Sequence, residues 1–179
     1  MIYLSADTHF SHPNIIKFCK RPFTTIHEMN KALIQNWNKI VQPDDLVYFL
    51  GDLTIDKRKA SHFLDQLNGK IIFIWGNHDK GRSIIENHPK IIETYDLLMR
   101  NIYGRSFTFC HFAMRVWDKS HFGKSIQLYG HSHGSLLPIG NQLDVGVDNA
   151  AKLLGEYRPF RLREVLEIII EGGENIGRE

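Results

Sequence analysis

Apolar runs separated by amphipathic segments dominate the first half of the sequence. Three runs have the length and the β-branched and aromatic content of buried parallel strands, namely Ile2–Ser5, Leu46–Leu50 and Ile71–Trp75. A capping-box sequence that begins at Thr25 opens a helix between the first two strands, and Asp56 opens another before the third. The order β-α-β-α-β predicts a parallel sheet with right-handed crossovers.

The second half has shorter and less regular segments. Tyr95–Met99 and Ser106–Cys110 flank a glycine-containing loop and predict a β-hairpin. A long loop, two short strands and a last helix are predicted at Phe112–Lys124, Ile126–Tyr129, Gln142–Val147 and Pro159–Ile170. We therefore expect an α/β protein with two sheets face to face and helices outside, parallel in its first half and more antiparallel in its second. Residues 1–170 form one domain in this prediction, and residues 171–179 form a flexible tail.

The composition is that of an ordinary globular protein, with 42% apolar and 23% charged residues in a chain of 179. A net charge of +2 gives no overall electrostatic preference for nucleic acid or a membrane. Cys19 and Cys110 cannot form a disulfide framework, and no apolar run has the length of a membrane span. Because the sequence starts on a strand and shows no signal peptide, we expect a soluble cytoplasmic protein.

Polar residues that can bind metal ions or transfer protons follow the predicted strands closely. In chain order they are Asp7, His9, Asp52, Asn77, His78, Asp79, His111, His131 and His133. Open α/β sheets place their sites at the carboxyl ends of the strands, so we expect these side chains to converge at one edge.

Carboxylates, an amide oxygen and imidazoles are suitable ligands for divalent cations in hydrolytic sites. Seven residues of these types suit two ions that share a ligand better than one tetrahedral ion: Asp7, His9, Asp52, Asn77, His111, His131 and His133. Two divalent ions, two carboxylates and a bridging hydroxide leave a net positive charge, which attracts a phosphoryl anion. His78 is then free to act as general acid for the leaving oxygen, and Asp79 to orient its imidazole.

Five blocks of the sequence, in order, resemble the signature of the calcineurin-like metallophosphoesterase superfamily, and its small bacterial and phage phosphoesterases in particular. They are Asp7-x-His9, Gly51-Asp52, Gly76-Asn77-His78-Asp79, His111 after an apolar strand, and Gly130-His131-x-His133. The resemblance implies a four-layer αββα sandwich of two mixed β-sheets with a dinuclear site. It also implies one ion held by Asp7, His9 and His133, and a second held by Asn77, His111 and His131. Asp52 would bridge the two, and His78 would donate the proton and contact the phosphate.

The expected function is hydrolysis of a phosphodiester or small nucleotide by a metal-dependent phosphoesterase, because no cap domain that would enclose a specific monoester is evident. The alternatives are a phosphomonoesterase acting on a small phosphorylated metabolite and a catalytically idle metal-binding scaffold. Two divalent metal ions are expected as cofactors. Manganese is the first candidate, and iron, zinc and nickel are alternatives because mixed nitrogen and oxygen ligands suit all of them.

Other residues have two interpretations each. His12 contacts phosphate or caps a helix, and Arg115 and Trp117 bind substrate or hold their loop on the core. Asp148 is a turn residue or a hydrogen-bond acceptor behind the ligands. Five cationic residues form either a basic rim for nucleic acid or an ordinary solvated surface, namely Lys17, Lys20, Arg21, Lys119 and Lys124. Nucleic acid is not the favoured partner.

Overall fold

The computed structural model describes the backbone of residues 1–176 and the side chains of residues 1–170. The strands are β1 Ile2–Ser5, β2 Leu46–Phe49, β3 Lys70–Ile74, β4 Ile91–Tyr95, β5 Leu97–Ile102, β6 Arg105–Cys110, β7 Ser125–Tyr129, β8 Gln142–Asp144 and β9 Phe160–Arg161. The helices are α1 Pro13–Phe18, α2 Ile26–Ile40, α3 Ala60–Gln66, α4 Arg82–Glu86, α5 Val147–Leu154 and α6 Leu162–Ile176. The strands form two mixed sheets in the orders β4-β3-β2-β1-β9 and β5-β6-β7-β8, flanked by helices. The predicted α/β fold of two mixed sheets is confirmed.

The parallel half of the prediction is also confirmed, since β1, β2, β3 and β4 pair in parallel. Successive side chains of these strands enter two different cores. Tyr3, Phe49 and Phe73 pack on the side of the helices α1, α2 and α3, whereas Leu4 and Tyr48 belong to the apolar cluster shared with the second sheet. A sheet buried on both faces explains why its strands are apolar without alternation.

Helix α2 begins as its sequence predicts. The hydroxyl of Thr25 accepts the backbone N–H of Glu28 at 3.1 Å, and the Glu28 carboxylate accepts the N–H of Thr24 at 2.8 Å. The apolar face of the helix buries Met29, Leu33 and Trp37. This packing closes one side of the first sheet and fixes the loop that leaves β1.

The second half differs from the prediction in several places. The hairpin of β5 and β6 is antiparallel as predicted, but β6, β7 and β8 pair in parallel. The strand predicted over Gln142–Val147 ends at Asp144, and Val147 opens a helix that the sequence pattern did not indicate. The last helix starts at Leu162 because Phe160–Arg161 pairs with β1.

Residues 112–124 form the predicted loop, which includes one 3-10 turn at Ser120–Phe122. The predicted flexible tail has a helical backbone as far as Ile176, and residues 177–179 lie outside the described residues. Across the described helices, none combines the length and apolar character needed to cross a membrane.

Candidate active site

The candidate ligands meet where the strands of both sheets end. Backbone hydrogen bonds tie the β1 and β2 loops together, from the N–H of Asp7 to the Gly51 carbonyl (2.9 Å) and from the N–H of His9 to the Asp52 carbonyl (3.0 Å). An isolated parallel bridge between Ala6 and Gly146 joins the end of β1 to the chain just after β8. The two sheets therefore share one functional edge.

Asp7, His9 and His133 form what we call the first cluster. Their ligand atoms all lie within 4.8 Å of one another. Asp7 is fully buried and His9 is 2% exposed, and the rings of His9 and His133 stack with centroids 5.2 Å apart. The loops that follow β1 and β7 thus bring three candidate ligands together.

Asn77, His111 and His131 form the second cluster. The Asn77 Oδ1 atom lies 3.0 Å from Nε2 of His111, and the rings of His111 and His131 have centroids 5.2 Å apart. The other ring nitrogen of His111, Nδ1, lies 2.7 Å from the carbonyl oxygen of Leu50. A hydrogen bond from Nδ1–H to this carbonyl leaves Nε2 as the nitrogen available to the cluster.

Asp52 lies between the two clusters. Its Oδ2 atom is 3.5 Å from Nε2 of His9 and 3.5 Å from Nε2 of His111. Its other oxygen, Oδ1, accepts the backbone N–H of His78 at 2.9 Å. One carboxylate oxygen is therefore held by the backbone while the other faces both clusters.

Several buried polar atoms at this edge have no hydrogen-bond partner in the described part of the chain, which indicates whether the edge suits a metal ion. Oδ1 of Asp7 and both ring nitrogens of His9 are buried without a hydrogen-bond partner among the described residues, whereas Oδ2 of Asp7 accepts the N–H of His131 at 2.8 Å. Buried polar atoms are nearly always paired, and an ion is one of the standard explanations for an exception. The donor set and the unpaired atoms together fit a divalent cation in the first cluster.

An ion pair lies behind the first cluster. Asp148 accepts two hydrogen bonds from Arg21, at 2.8 and 2.7 Å, and its Oδ2 lies 2.7 Å from Nδ1 of His133. Arg21 also donates to the backbone carbonyls of Asp7 and Thr8 at 2.8 and 3.0 Å. The guanidinium thus links the loop after β1 to the loop after β7, and Asp148 orients the imidazole of His133.

The positions of Asp148 and Arg21 decide between the two interpretations that the sequence allowed for each residue. Asp148, in the first turn of α5, is the predicted acceptor behind the ligands. Arg21 does not belong to a basic rim, because it is 3% exposed and fully paired with Asp148. The two residues are 127 positions apart, so nothing in the local sequence revealed this contact.

Close backbone approach explains the glycines of the motifs. A Cβ atom on Gly130 would lie 2.6 Å from Oδ2 of Asp7, and one on Gly76 would collide with the carboxylate of Asp52. Asp7, His9, Asp52, His131 and His133 have positive φ angles between 48 and 66°. Left-handed backbone costs roughly 1–2 kcal/mol per non-glycine residue, so the edge holds strain that the surrounding structure must stabilise.

The protonation of the candidate ligands themselves follows from burial and pairing. Burial raises the pKa of Asp7 to about 8. Although burial acts in the opposite direction, the hydrogen bond to Asp148 raises the pKa of His133 to about 10. In the same way, Asp52 outweighs burial and raises the pKa of His111 to about 9. Without a cation, these three groups carry protons at neutral pH.

Comparison with known proteins identifies the family. A sequence model of calcineurin-like phosphoesterases matches residues 1–106, more than half of the chain. The chain belongs to the calcineurin-like phosphoesterase family. It is a hydrolase that acts on phosphoric ester bonds, and the family implies divalent metal ions as cofactors.

Two relatives of this phosphoesterase match nearly all of its length. The uncharacterized protein MJ1445 of Methanocaldococcus jannaschii is 38% identical over an alignment 177 positions long, which covers 96% of this chain and 92% of that protein. The Gene 66 protein of Mycobacterium phage L5 is 21% identical over an alignment 174 positions long, which covers 95% of this chain and 75% of that protein.

Solved structures share the fold. A protein of unknown function from Aquifex aeolicus, AQ665, has a TM-score of 0.71 and 23% identity, covering 94% of this chain and 99% of its own. A structure described as a novel archaeal phosphodiesterase has a TM-score of 0.51 and 21% identity, covering 86% of this chain and 87% of its own.

Asp79 in this phosphoesterase does not take the predicted place behind the imidazole of His78. Its two carboxylate oxygens accept the backbone N–H groups of Asp52 (2.7 Å), Leu53 (3.0 Å) and Gly76 (2.8 Å). Both oxygens are thereby used to hold the turn that presents Asp52. Asp79 therefore positions the carboxylate between the clusters instead of contacting the His78 ring.

The three predicted substrate-binding residues, His12, Arg115 and Trp117, do not line the same cavity. His12 and His78 line the cavity of the two clusters, with ring centroids 6.4 Å apart. Arg115 and Trp117 belong to the loop of residues 112–124 and line neighbouring cavities instead. Only His12 of the three is placed beside the candidate metal centre.

Proposed function

We propose that this phosphoesterase hydrolyses phosphodiesters at a dinuclear metal centre formed by the two clusters and Asp52. The position of Asp52 carries the proposal, because one carboxylate oxygen lies 3.5 Å from a ring nitrogen of each cluster. Asp7, His9 and His133 would hold one ion, and Asn77, His111 and His131 the other. The structural likeness to a protein described as an archaeal phosphodiesterase is consistent with this function.

Manganese is the proposed metal, with iron, zinc or nickel as alternatives. When bound, two divalent ions supply positive charge for the phosphoryl oxygens and a nucleophile at neutral pH. Residues 1–170 would form a single metallophosphoesterase domain.

His78 is the proposed proton donor. Its backbone N–H is fixed by Asp52 at 2.9 Å, and its ring lies 5.4 Å from that of His9 (centroid to centroid) at the wall of the cavity. An imidazole in this position can protonate the oxygen of the departing alcohol. His12, with its ring 5.5 Å from that of His9, is placed to contact a phosphoryl oxygen.

The cavity favours a diester over a monoester. It has a volume of about 940 Å³, and Lys20 is the only lysine or arginine among its described lining residues. A phosphodiester carries one negative charge at neutral pH, whereas a monoester carries nearly two. A single lysine beyond the metal centre provides little additional charge for a dianion.

The test is hydrolysis of bis-p-nitrophenyl phosphate and p-nitrophenyl phosphate by protein stripped of metal and reloaded with manganese, nickel or zinc. We expect faster turnover of the diester. Faster turnover of the monoester would favour a phosphomonoesterase. Two bound ions per chain without turnover of either ester would favour an idle scaffold.

His78→Ala tests the proton donor. General acid catalysis contributes about 10²–10⁴-fold, so diesters with poor leaving groups should lose activity in this range while p-nitrophenyl esters lose less. Metal content, measured by elemental analysis, should not change. His27→Ala is the control, because this exposed histidine of α2 does not line the metal cavity. Equal losses for good and poor leaving groups would rule out the role.

A further inference from the structure

Beyond the ligands, part of the wall of the metal cavity is formed by exposed apolar side chains, beside the polar His12, Lys20 and His78. Phe18, Ile55 and Leu136 line it and are 72%, 44% and 51% exposed. Large apolar side chains that are exposed together beside a site are typical of surfaces that bind an apolar group. No part of the proposed hydrolysis chemistry uses these three side chains.

The apolar surface continues past the metal cavity. Leu136 also lines a neighbouring cavity of about 500 Å³, where Leu137, Ile139 and Val116 are 87%, 66% and 72% exposed. Arg115 is the only charged side chain among the described lining residues of that cavity. Leu136 therefore connects the metal cavity to an extended apolar groove, which we call the Leu136 groove.

Few cationic side chains lie along these two cavities, whose described lining residues include only Lys20 and Arg115 of this type. A separate groove between α2 and α3 is lined by Lys31, Lys59, His27 and His62, without an acidic residue, and shares no lining residue with the metal cavity. A polynucleotide that passes through the metal cavity would need cations for its neighbouring phosphates. The surface that adjoins the metal centre offers apolar contact instead.

We propose that the substrate is a phosphodiester with an apolar ester group, such as an alkyl chain or aromatic ring, and that this group lies in the Leu136 groove. This inference rests on the proposed phosphodiesterase function. Water supplies the oxygen that bonds to phosphorus, the bond from phosphorus to the leaving oxygen breaks, and the released alcohol takes a proton. The group in the groove raises the fraction of substrate held with its phosphate between the two clusters.

The test is a series of methyl, butyl and octyl p-nitrophenyl phosphates with manganese-loaded protein. A fully buried methylene group is worth about a fourfold gain in binding, so partial burial predicts at least about a tenfold rise in kcat/KM from methyl to octyl. Leu136→Ser and Leu137→Ser should reduce this rise, with losses that grow with chain length. Leu97→Ser is the matched control, since Leu97 is 40% exposed on β5 and lines neither cavity.

Binding is measured separately by calorimetry with methyl- and octylphosphonate, with octylphosphonate expected to bind more tightly and to lose this advantage in the two groove variants. A flat chain-length series, together with faster cleavage of a dinucleotide, would overturn the proposal in favour of a nucleotide substrate. A wild-type dimer that Leu136→Ser converts to a monomer, as judged by sedimentation, would show that a second copy covers the groove. If even the methyl ester is not hydrolysed, the proposed function fails, and the phosphonate affinities still decide whether the groove binds an apolar group.

Discussion

The two clusters of candidate ligands are built differently, although they share one edge of the molecule. In the first cluster, Asp7, His9 and His133 all have left-handed backbone, and Asp7 and His9 are at most 2% exposed. In the second, only His131 has a positive φ, and both His131 and Asn77 are exposed. The first cluster is therefore largely buried and strained, while the second combines the fully buried His111 with two exposed members and is largely relaxed.

The residues behind the clusters differ as well. His133 is oriented by the Asp148 carboxylate, which is in turn paired with Arg21. His111 faces the main-chain carbonyl of Leu50, which no substitution can remove. The first position therefore depends on side chains from distant parts of the chain, and the second depends on the main chain at the end of β2. We expect the first position to hold its ion more tightly and to exchange it more slowly.

Removal of the Asp52 carboxylate should have the largest effect, because this carboxylate faces both clusters. Loss of a group that only supports a metal ligand costs about 10–100-fold, so Asp52→Asn should lower phosphodiester turnover by more than about 100-fold. Elemental analysis should show fewer than two ions per chain. Asp44→Asn is the control, since Asp44 is 94% exposed. Full metal content and full activity in Asp52→Asn would contradict a bridging role.

The pH dependence of metal affinity should separate the two positions. Asp7 and His133, with pKa values raised to about 8 and about 10, both hold protons at pH 7 that an ion at the first position must displace. In the second cluster only His111 has a raised pKa, of about 9, while burial lowers that of His131.

A metal ion that binds to these groups must release their protons. The affinity for the metal therefore increases as pH rises. Near pH 7 the expected gain per pH unit is about 100-fold for two protons and about tenfold for one. Calorimetry in buffers with different ionisation heats counts these protons directly. The same number of protons at both positions would remove this distinction.

Asp148→Asn should weaken only the first position. The loss of a carboxylate that orients a ligating histidine costs about 10–100-fold in metal affinity, and the second cluster has no such partner to lose. Metal titrations resolve the two affinities, and Asp118→Asn, in an exposed loop position, is the control. Equal weakening of both ions would show that Asp148 acts on the fold and not on His133.

Metal removal should lower the melting temperature. An ion present at 100 times its Kd stabilises a protein by about 2.7 kcal/mol, which corresponds to roughly 5–10 °C for a domain of this size. Asn77→Ala should keep most of this difference between metal-loaded and chelator-treated protein, because the first position stays intact. A melting temperature that does not respond to chelator would argue against filled positions.

The smallest effect on the protein is expected from a substitution at Tyr103, a residue with left-handed backbone that lies outside the two clusters. Tyr103 has a φ of 49° in the turn between β5 and β6, before Gly104 with a φ of 80°. Asn tolerates this region better than Tyr, so Tyr103→Asn should stabilise the protein by up to about 1 kcal/mol without changing turnover. Denaturant unfolding measures the change. A loss of stability would show that the Tyr103 side chain contributes more than its backbone strain costs.

Much of the fold was predictable from sequence because its signals are local. Strands buried on both faces are continuously apolar, and the polar residues that follow them mark the edge at which the candidate ligands meet. The capping box at Thr25 needs only neighbouring residues to form. In contrast, α5 was not predicted, since its start at Val147 continues an apolar strand-like run.

Most of the strands, the polar residues at their ends and the resemblance to a phosphoesterase could be read from the sequence, but β4, β9 and the order of the strands in each sheet could not. Only the tertiary structure decided which side chains support the site. The bond from Arg21 to Asp148 spans 127 residues, and that from His131 to Asp7 spans 124. Asp79 holds the Asp52 turn, and Leu136 lies beside the metal cavity, for the same reason. Contacts of this kind depend on how two sheets pack together, which no local pattern of residues encodes.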